Sequence, residues 1–296
     1  MDKKFTTGIL LGVFGVLLFS TKAVIVKLMY QFDINAMDAL LLRMGFSLPI
    51  YLVFLFIDRK AMKMVQGKDV FAILTMGFLG YYLASYWDFK GLELIDASLE
   101  RLILFIYPTF VVIMSAIFLK SPITKKQILA IVITYIGVVI IFLPKVMNRS
   151  EHFTIQNIEG GGYIVLSAIC YAMFLVWSQD VMKRVPVRLF TSMALIVSGL
   201  CMFVHAGFIS DFQLLNKEPM LYLYGVVIAV FATVIPSYLI SASISRVGAG
   251  VTAVIGALGP VSTITLAILF LNEKLTLIQV LGAGIILIGV LQVKRK

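Results

Sequence analysis

Ten apolar runs, each long enough to cross the ~30 Å hydrocarbon layer of a bilayer, follow one another along this chain. They fall near 7–29, 37–57, 70–89, 96–119, 127–143, 161–181, 189–209, 220–241, 248–271 and 277–293. A segment alone in lipid must satisfy its own backbone hydrogen bonds, so each run is expected to be a helix. The runs are apolar on every side rather than alternating, which excludes a β-barrel. Hydrophobic residues make up 61% of the 296 and charged ones 14%, against about 45–50% and about 25% in soluble domains. At about 20 residues per span, ten helices leave no room for a soluble domain. The fold expected is an all-α integral membrane protein. The N-terminal run has no small-x-small cleavage site behind it and reads as the first span, not a signal peptide.

The net charge of +10 points to no nucleic acid, because Lys and Arg are scattered through the loops. With the N-terminus inside, the inner segments hold sixteen of them, from Lys3 and Lys4 to Lys296. The outer loops hold only Lys90, Lys145, Arg149, Lys217 and Lys274. This bias places both termini in the cytoplasm. Cys170 and Cys201 lie in apolar runs without CxxC spacing, and His152 and His205 are isolated. No metal site, disulfide framework or cofactor is called for.

The chain repeats itself. Pro108 matches Pro260, Phe118-Leu119 matches Phe270-Leu271, Thr124 matches Thr276, and Gln127 matches Gln279. Gly137-Val138 matches Gly289-Val290, Ser85-Tyr86 matches Ser237-Tyr238, and Gly8 matches Gly160. Every pair is 152 positions apart. Two five-helix repeats are expected, 1–143 and 160–296, joined by an outer connector at 144–159. Five is odd, so the second repeat starts from the opposite side and is inverted, a device of secondary transporters.

In these residues the chain resembles the EamA branch of the drug/metabolite transporter superfamily, ten helices in two repeats. The second copy, ALGPVSTITLAILFLNEKLTLIQVLGAGIILIGV, is similar to the family pattern, with Glu273 at its acidic turn. The first copy departs from it, with Ser121 in KSPIT where that Glu would be. The resemblance implies transport with the cavity between the halves, and leaves the substrate open.

Ionisable residues inside spans are expensive and are functional candidates. At 1.5 Å rise per residue, Lys22 lies about 10 Å, Arg43 about 9 Å and Glu100 about 6 Å below the outer ends of their helices. The equivalent layer of the second half has Gln179, Leu195, Thr252 and Ala253. One reading is a structural network in which Glu100 pairs with Arg43 or Lys22 while Arg101 snorkels to the interface. The other is a cavity cluster that binds a charged substrate or relays a proton. A salt-bridged Glu100 would stay ionised and carry no proton, which weighs against coupling through it. Lys27 and Asp88 are read as interfacial. Adjacent helical residues point about 100° apart, so Glu100, in line with Tyr107, and Arg101 are expected to need separate partners.

Other candidates for the path are Tyr82 and Tyr86, Tyr171 with Trp177 and Ser178, the Thr233, Ser237, Ser241 stripe, and Thr252 with Gly256 and Thr263. Each stripe is equally well read as helix–helix glue or interface anchoring. Pro108, Pro260 and Pro236 remove backbone donors and are candidate gates or hinges.

The function expected is secondary transport of a small metabolite or amino acid, as an exporter of a bacterial inner membrane working by alternating access. A lipid or carrier-lipid flippase on the same scaffold is the alternative. A membrane-embedded enzyme is remote, since the chain has no HExxH, GxSxG or paired-Asp motif. Oligomeric state is left open.

Overall fold

The computed structural model describes residues 3–120, 122–147, 155–209, 214, 217–271 and 277–291. Ser121, His152, Glu273 and the middle of the connector lie outside them. The described residues are helical. In chain order the helices are α1 Lys3–Tyr30, α2 Ala36–Ile57, α3 Gly67–Leu94, α4 Ala97–Leu104, α5 Tyr107–Phe118 and α6 Lys125–Met147. After the connector come α7 Ile155–Val181, α8 Val187–Ile209, α9 Pro219–Val247, α10 Ala249–Ile255, α11 Leu258–Leu271 and α12 Leu277–Leu291. A 3₁₀ turn, Arg59–Met64, links α2 to α3.

Among the described residues six helices, α1, α2, α3, α7, α8 and α9, are long and apolar enough to cross a bilayer, and α5 is apolar but shorter. Local chemistry sets several boundaries. Asn35 caps α2 and exchanges a capping box with Asp38, satisfying donors that lipid cannot. Gly248, between α9 and α10, has φ +87°, a conformation that glycine adopts without steric penalty. The Gln179 side chain closes the start of α10 by accepting from the Ala249 N–H at 2.7 Å.

The 152-residue offset reappears, to within about two residues, in the irregularities. The helix breaks at Phe105 and Ile106, and again at Gly256 and Ala257. Pro108 and Pro260 stand in the first turn after these breaks, where a missing N–H is harmless. α3 widens to π-helix at Met76–Leu83 and α9 at Val230–Val234, with Pro236 in the turn that follows. Such widened turns mark functional positions often enough to be noted.

Packing obeys the same relation. α1 packs on α9 as α7 packs on α3, and α1 on α11 as α7 on α5. α2 packs on α8, and α6 on α12. A Cβ on Gly8 would meet Val247 at 2.6 Å, and one on Gly160 would meet Ile95 at 2.8 Å. Those two contacts are the same contact, displaced by 152 at both partners, at opposite ends of the bundle.

Candidate functional site

At the centre of the bundle is a cavity of about 50 Å³. This is room for a few water molecules between the two halves. Its wall comes from α1, α2, α3 and α4 on one side and from α7 and α9 on the other. Ten of its residues form pairs 152 apart: Phe19 with Tyr171, Lys22 with Phe174, Tyr81 with Thr233, Ser85 with Ser237, and Asp88 with Ile240. Phe19 and Tyr171 stack on each other, their ring centroids 6.2 Å apart. The wall is equivalent in position on its two sides, but its charged residues all belong to the first half.

The charged side chains are buried. Lys22 donates to Asp88 Oδ2 at 2.6 Å, and its Nζ also lies 4.7 Å from the centre of the Phe19 ring. Behind this pair, Arg101 Nε lies 3.3 Å from Glu100 Oε2. Arg101 Nη2 donates to the Phe19 carbonyl at 3.4 Å, fixing α4 to α1. Arg43 Nη1 donates to Ser85 Oγ at 3.1 Å, and its guanidinium lies 5.5 Å from the centre of the Phe89 ring. Asp88 Oδ1, both Glu100 oxygens and Arg43 Nε have no hydrogen-bond partner in the structure.

Three expectations are corrected. Asp88 is not interfacial: it is 1% exposed and answers Lys22. Arg101 does not snorkel: it is 5% exposed, because Glu100 and a carbonyl are nearer than any interface. Glu100 pairs with neither Arg43 nor Lys22 but with adjacent Arg101, whose long side chain bends back across the 100° between them.

The cavity brings together Lys22, Arg43, Tyr171, Thr233 and Ser237 of the sequence candidates. Ser237 Oγ donates to the Val234 carbonyl at 2.7 Å and lies 3.2 Å from the Tyr51 hydroxyl. Tyr82 and Tyr86 lie elsewhere, around His205: the Tyr82 hydroxyl is 2.7 Å from His205 Nδ1, and the Tyr86 ring is 5.0 Å from the His205 ring. Tyr107 donates to the Ala253 carbonyl at 3.2 Å. Ser178 donates to Leu175 within its own helix, and Thr252 to the Gly248 carbonyl at the start of α10, with Ser243 beside it. Trp177 packs edge-on against Phe118 in a separate groove. Sequence reasoning did not single out Phe19, Tyr81 or Phe174. Applying the 152 offset to Tyr171 would have found Phe19.

The face carrying residue 3 and the α2–α3 turn is held shut by ion pairs between the halves. Arg188 grips Asp58 through two nitrogens, at 2.5 and 2.6 Å. Arg184 reaches Asp69 at 2.9 Å. Hydrogen bonding from Arg188 holds the Asp58 carboxyl below its ordinary range. On the opposite face Lys217 donates to the carbonyls of Phe32 and Asp33, at 3.2 and 3.1 Å.

Apolar helices closed around a charged central cavity define a multi-pass membrane transporter. A family model described as the EamA-like transporter family matches residues 6–143 and again 159–294. The chain belongs to that family, within the drug/metabolite transporter superfamily. It is similar to the uncharacterized transporter YcbK of Bacillus subtilis (strain 168), 30% identical over 289 residues, 95% of this chain and 91% of YcbK. An uncharacterized transporter of Archaeoglobus fulgidus is 25% identical over 241 residues, covering 79% and 81% of the two chains. Among solved structures, one crystal structure superposes with a TM-score of 0.78 at 14% identity, over 96% of this chain and 94% of its own. It shows the same fold.

Proposed function

We propose that this protein is a secondary transporter that exports a small metabolite across a bacterial inner membrane by alternating access. Its scaffold is ten membrane-spanning segments in two inverted five-helix repeats, 1–143 and 160–296, with both termini cytoplasmic. α4 with α5, and α10 with α11, each count as one broken span.

The observation that carries the reading is the central cavity walled by residue pairs 152 apart. A site on the pseudo-two-fold axis of inverted repeats opens to one side when the halves take one pair of conformations. It opens to the other side when they exchange them. Paired breaks before Pro108 and Pro260, and paired π turns, supply equivalent bending points in both halves.

The flippase reading has one observation in its favour. A groove of about 860 Å³ runs between α3, α5 and α7, walled by Phe71, Phe118, Trp177, Lys183 and Arg184. Its aromatic walls suit a lipid tail, while Lys183 and Arg184 are both paired with Asp180.

The test uses Ser167→Cys, a buried cavity position, with Cys170→Ala and Cys201→Ala in the background. A membrane-impermeant maleimide should label it from either side in oriented vesicles. Labelling from one side only, under all conditions, would refute alternating access.

A further inference from the structure

Arg43 is a buried cation with no acid in salt-bridge contact. It is 3% exposed and lines the central cavity. Among the described residues no Asp or Glu lies within ion-pair distance of its guanidinium, although Lys22 and Arg101 both have such partners. Its Nε has no acceptor. Lys22, Arg43 and Arg101 against Asp88 and Glu100 leave the cluster one formal positive charge in excess. A desolvated, uncompensated guanidinium is strongly disfavoured. Packing does not require it, since the equivalent position of the second half is Leu195, fully buried. The charge has a use only if something in the cavity answers it.

The chemistry of the wall limits what that is. The excess positive charge calls for an anion. A guanidinium presents a planar fork of donors that matches a carboxylate. Ser85 Oγ accepts from Arg43 and keeps its own proton to donate. The Ser237 hydroxyl already serves Val234. Opposite these polar groups the wall is aromatic, from Phe19, Tyr171 and Phe174.

We infer that the central cavity binds a small organic monocarboxylate, its carboxylate held by Arg43 and Ser85 and its apolar body laid against Phe19, Tyr171 and Phe174. This deepens the carrier reading and rests on it for the location of the site. Chloride would use one donor of the fork and nothing of the aromatic wall. Phosphate would likewise use the donors and nothing of the aromatic wall.

The test is thermal unfolding of the purified full-length protein, titrated with sodium acetate, butyrate, benzoate and phenylacetate. Benzamide, benzylamine, sodium chloride and sodium phosphate serve as controls at matched ionic strength. At least one carboxylate is expected to raise the midpoint saturably while the amide and the amine do not. Losing a charge-assisted hydrogen bond weakens binding roughly 10- to 100-fold, the loss expected for Arg43→Gln; Arg43→Lys keeps part of the affinity. Ser85→Ala, a smaller change, should weaken binding several-fold and reads out the site even where Arg43→Gln does not fold. Stabilisation by no carboxylate, by chloride or phosphate alone, or at unchanged affinity in Arg43→Gln or Ser85→Ala overturns the inference.

Failure of the two readings can be told apart with Ser167→Cys. Two-sided labelling that carboxylates neither slow nor shift sinks the carboxylate site and spares the carrier. One-sided labelling sinks the carrier whatever the carboxylates do.

Discussion

Phe19 and Tyr171 lie 152 positions apart and stack with their ring planes 9° from parallel. They are the one pair of equivalent cavity residues that touch through their rings, and they join the halves where the cavity closes. Aromatic pairs contribute about 0.5–1.5 kcal/mol beyond their buried area. A double-mutant cycle of Phe19→Leu and Tyr171→Leu, read by thermal unfolding, should return a coupling energy in that range. Additive losses would mean the rings act separately and the halves are joined elsewhere.

Lys22 and Asp88 should behave as one buried unit. Removing one partner strands the other charge in a low-dielectric interior, which costs about 3–5 kcal/mol, whereas replacing both with apolar groups of similar volume is often neutral. Asp88→Leu alone should therefore lower the unfolding midpoint strongly. Lys22→Met with Asp88→Leu should recover most of it. A double variant as unstable as the single one would show that Asp88 is held chiefly by other groups.

How these residues were misplaced from sequence is instructive. The spans were legible because lipid demands long apolar helices and nothing else in the chain competes with that demand. The depth of Asp88 was not. α3 runs to Leu94, beyond the apolar run ending near 89, because Tyr86, Trp87 and Lys90 are tolerated in a helix continuing towards the surface. Five more residues are about 7.5 Å of extra cover, enough to bury Asp88. The pairing of Glu100 with Arg101 depends on side-chain paths that helical periodicity does not describe. Ser237 was legible because its stripe and its counterpart Ser85 point the same way. Tyr82 and Tyr86 satisfied the same pattern, yet their faces turn towards His205.

Asp58 and Arg188 make the closure of one face dependent on pH, with a definite sign. Arg188 depresses the Asp58 carboxyl in the closed state. The pair's contribution is therefore fully present above the ordinary carboxylate range. It is lost as pH falls through the depressed value. Labelling of Ser167→Cys from this face should be flat from neutral pH down to about 5, and should rise only below the ordinary carboxylate pKa of about 4. Asp58→Asn at neutral pH should reproduce the rise. An exposed pair contributes at most about 1 kcal/mol, so the increase should be no more than about fivefold. A rise that begins near neutral pH would assign the effect to a different group.

Gly8 and Gly160 should bias the carrier in opposite directions. Gly8 lets α1 approach Val247 of α9 at the face carrying the N-terminus, and Gly160 lets α7 approach Ile95 after α3 at the other. In a rocking mechanism each contact closes one face and is released when that face opens. A larger side chain at either glycine leaves the neighbouring face less able to close, and leaves the distant face untouched. Gly8→Leu should raise labelling of Ser167→Cys from the N-terminal face and lower it from the opposite face, and Gly160→Leu should do the reverse. Opposite signs are required because opening of the two faces is mutually exclusive, whereas general loosening of the bundle would raise both rates in both variants. Parallel increases would therefore remove these glycines from the gating mechanism and leave them as packing residues.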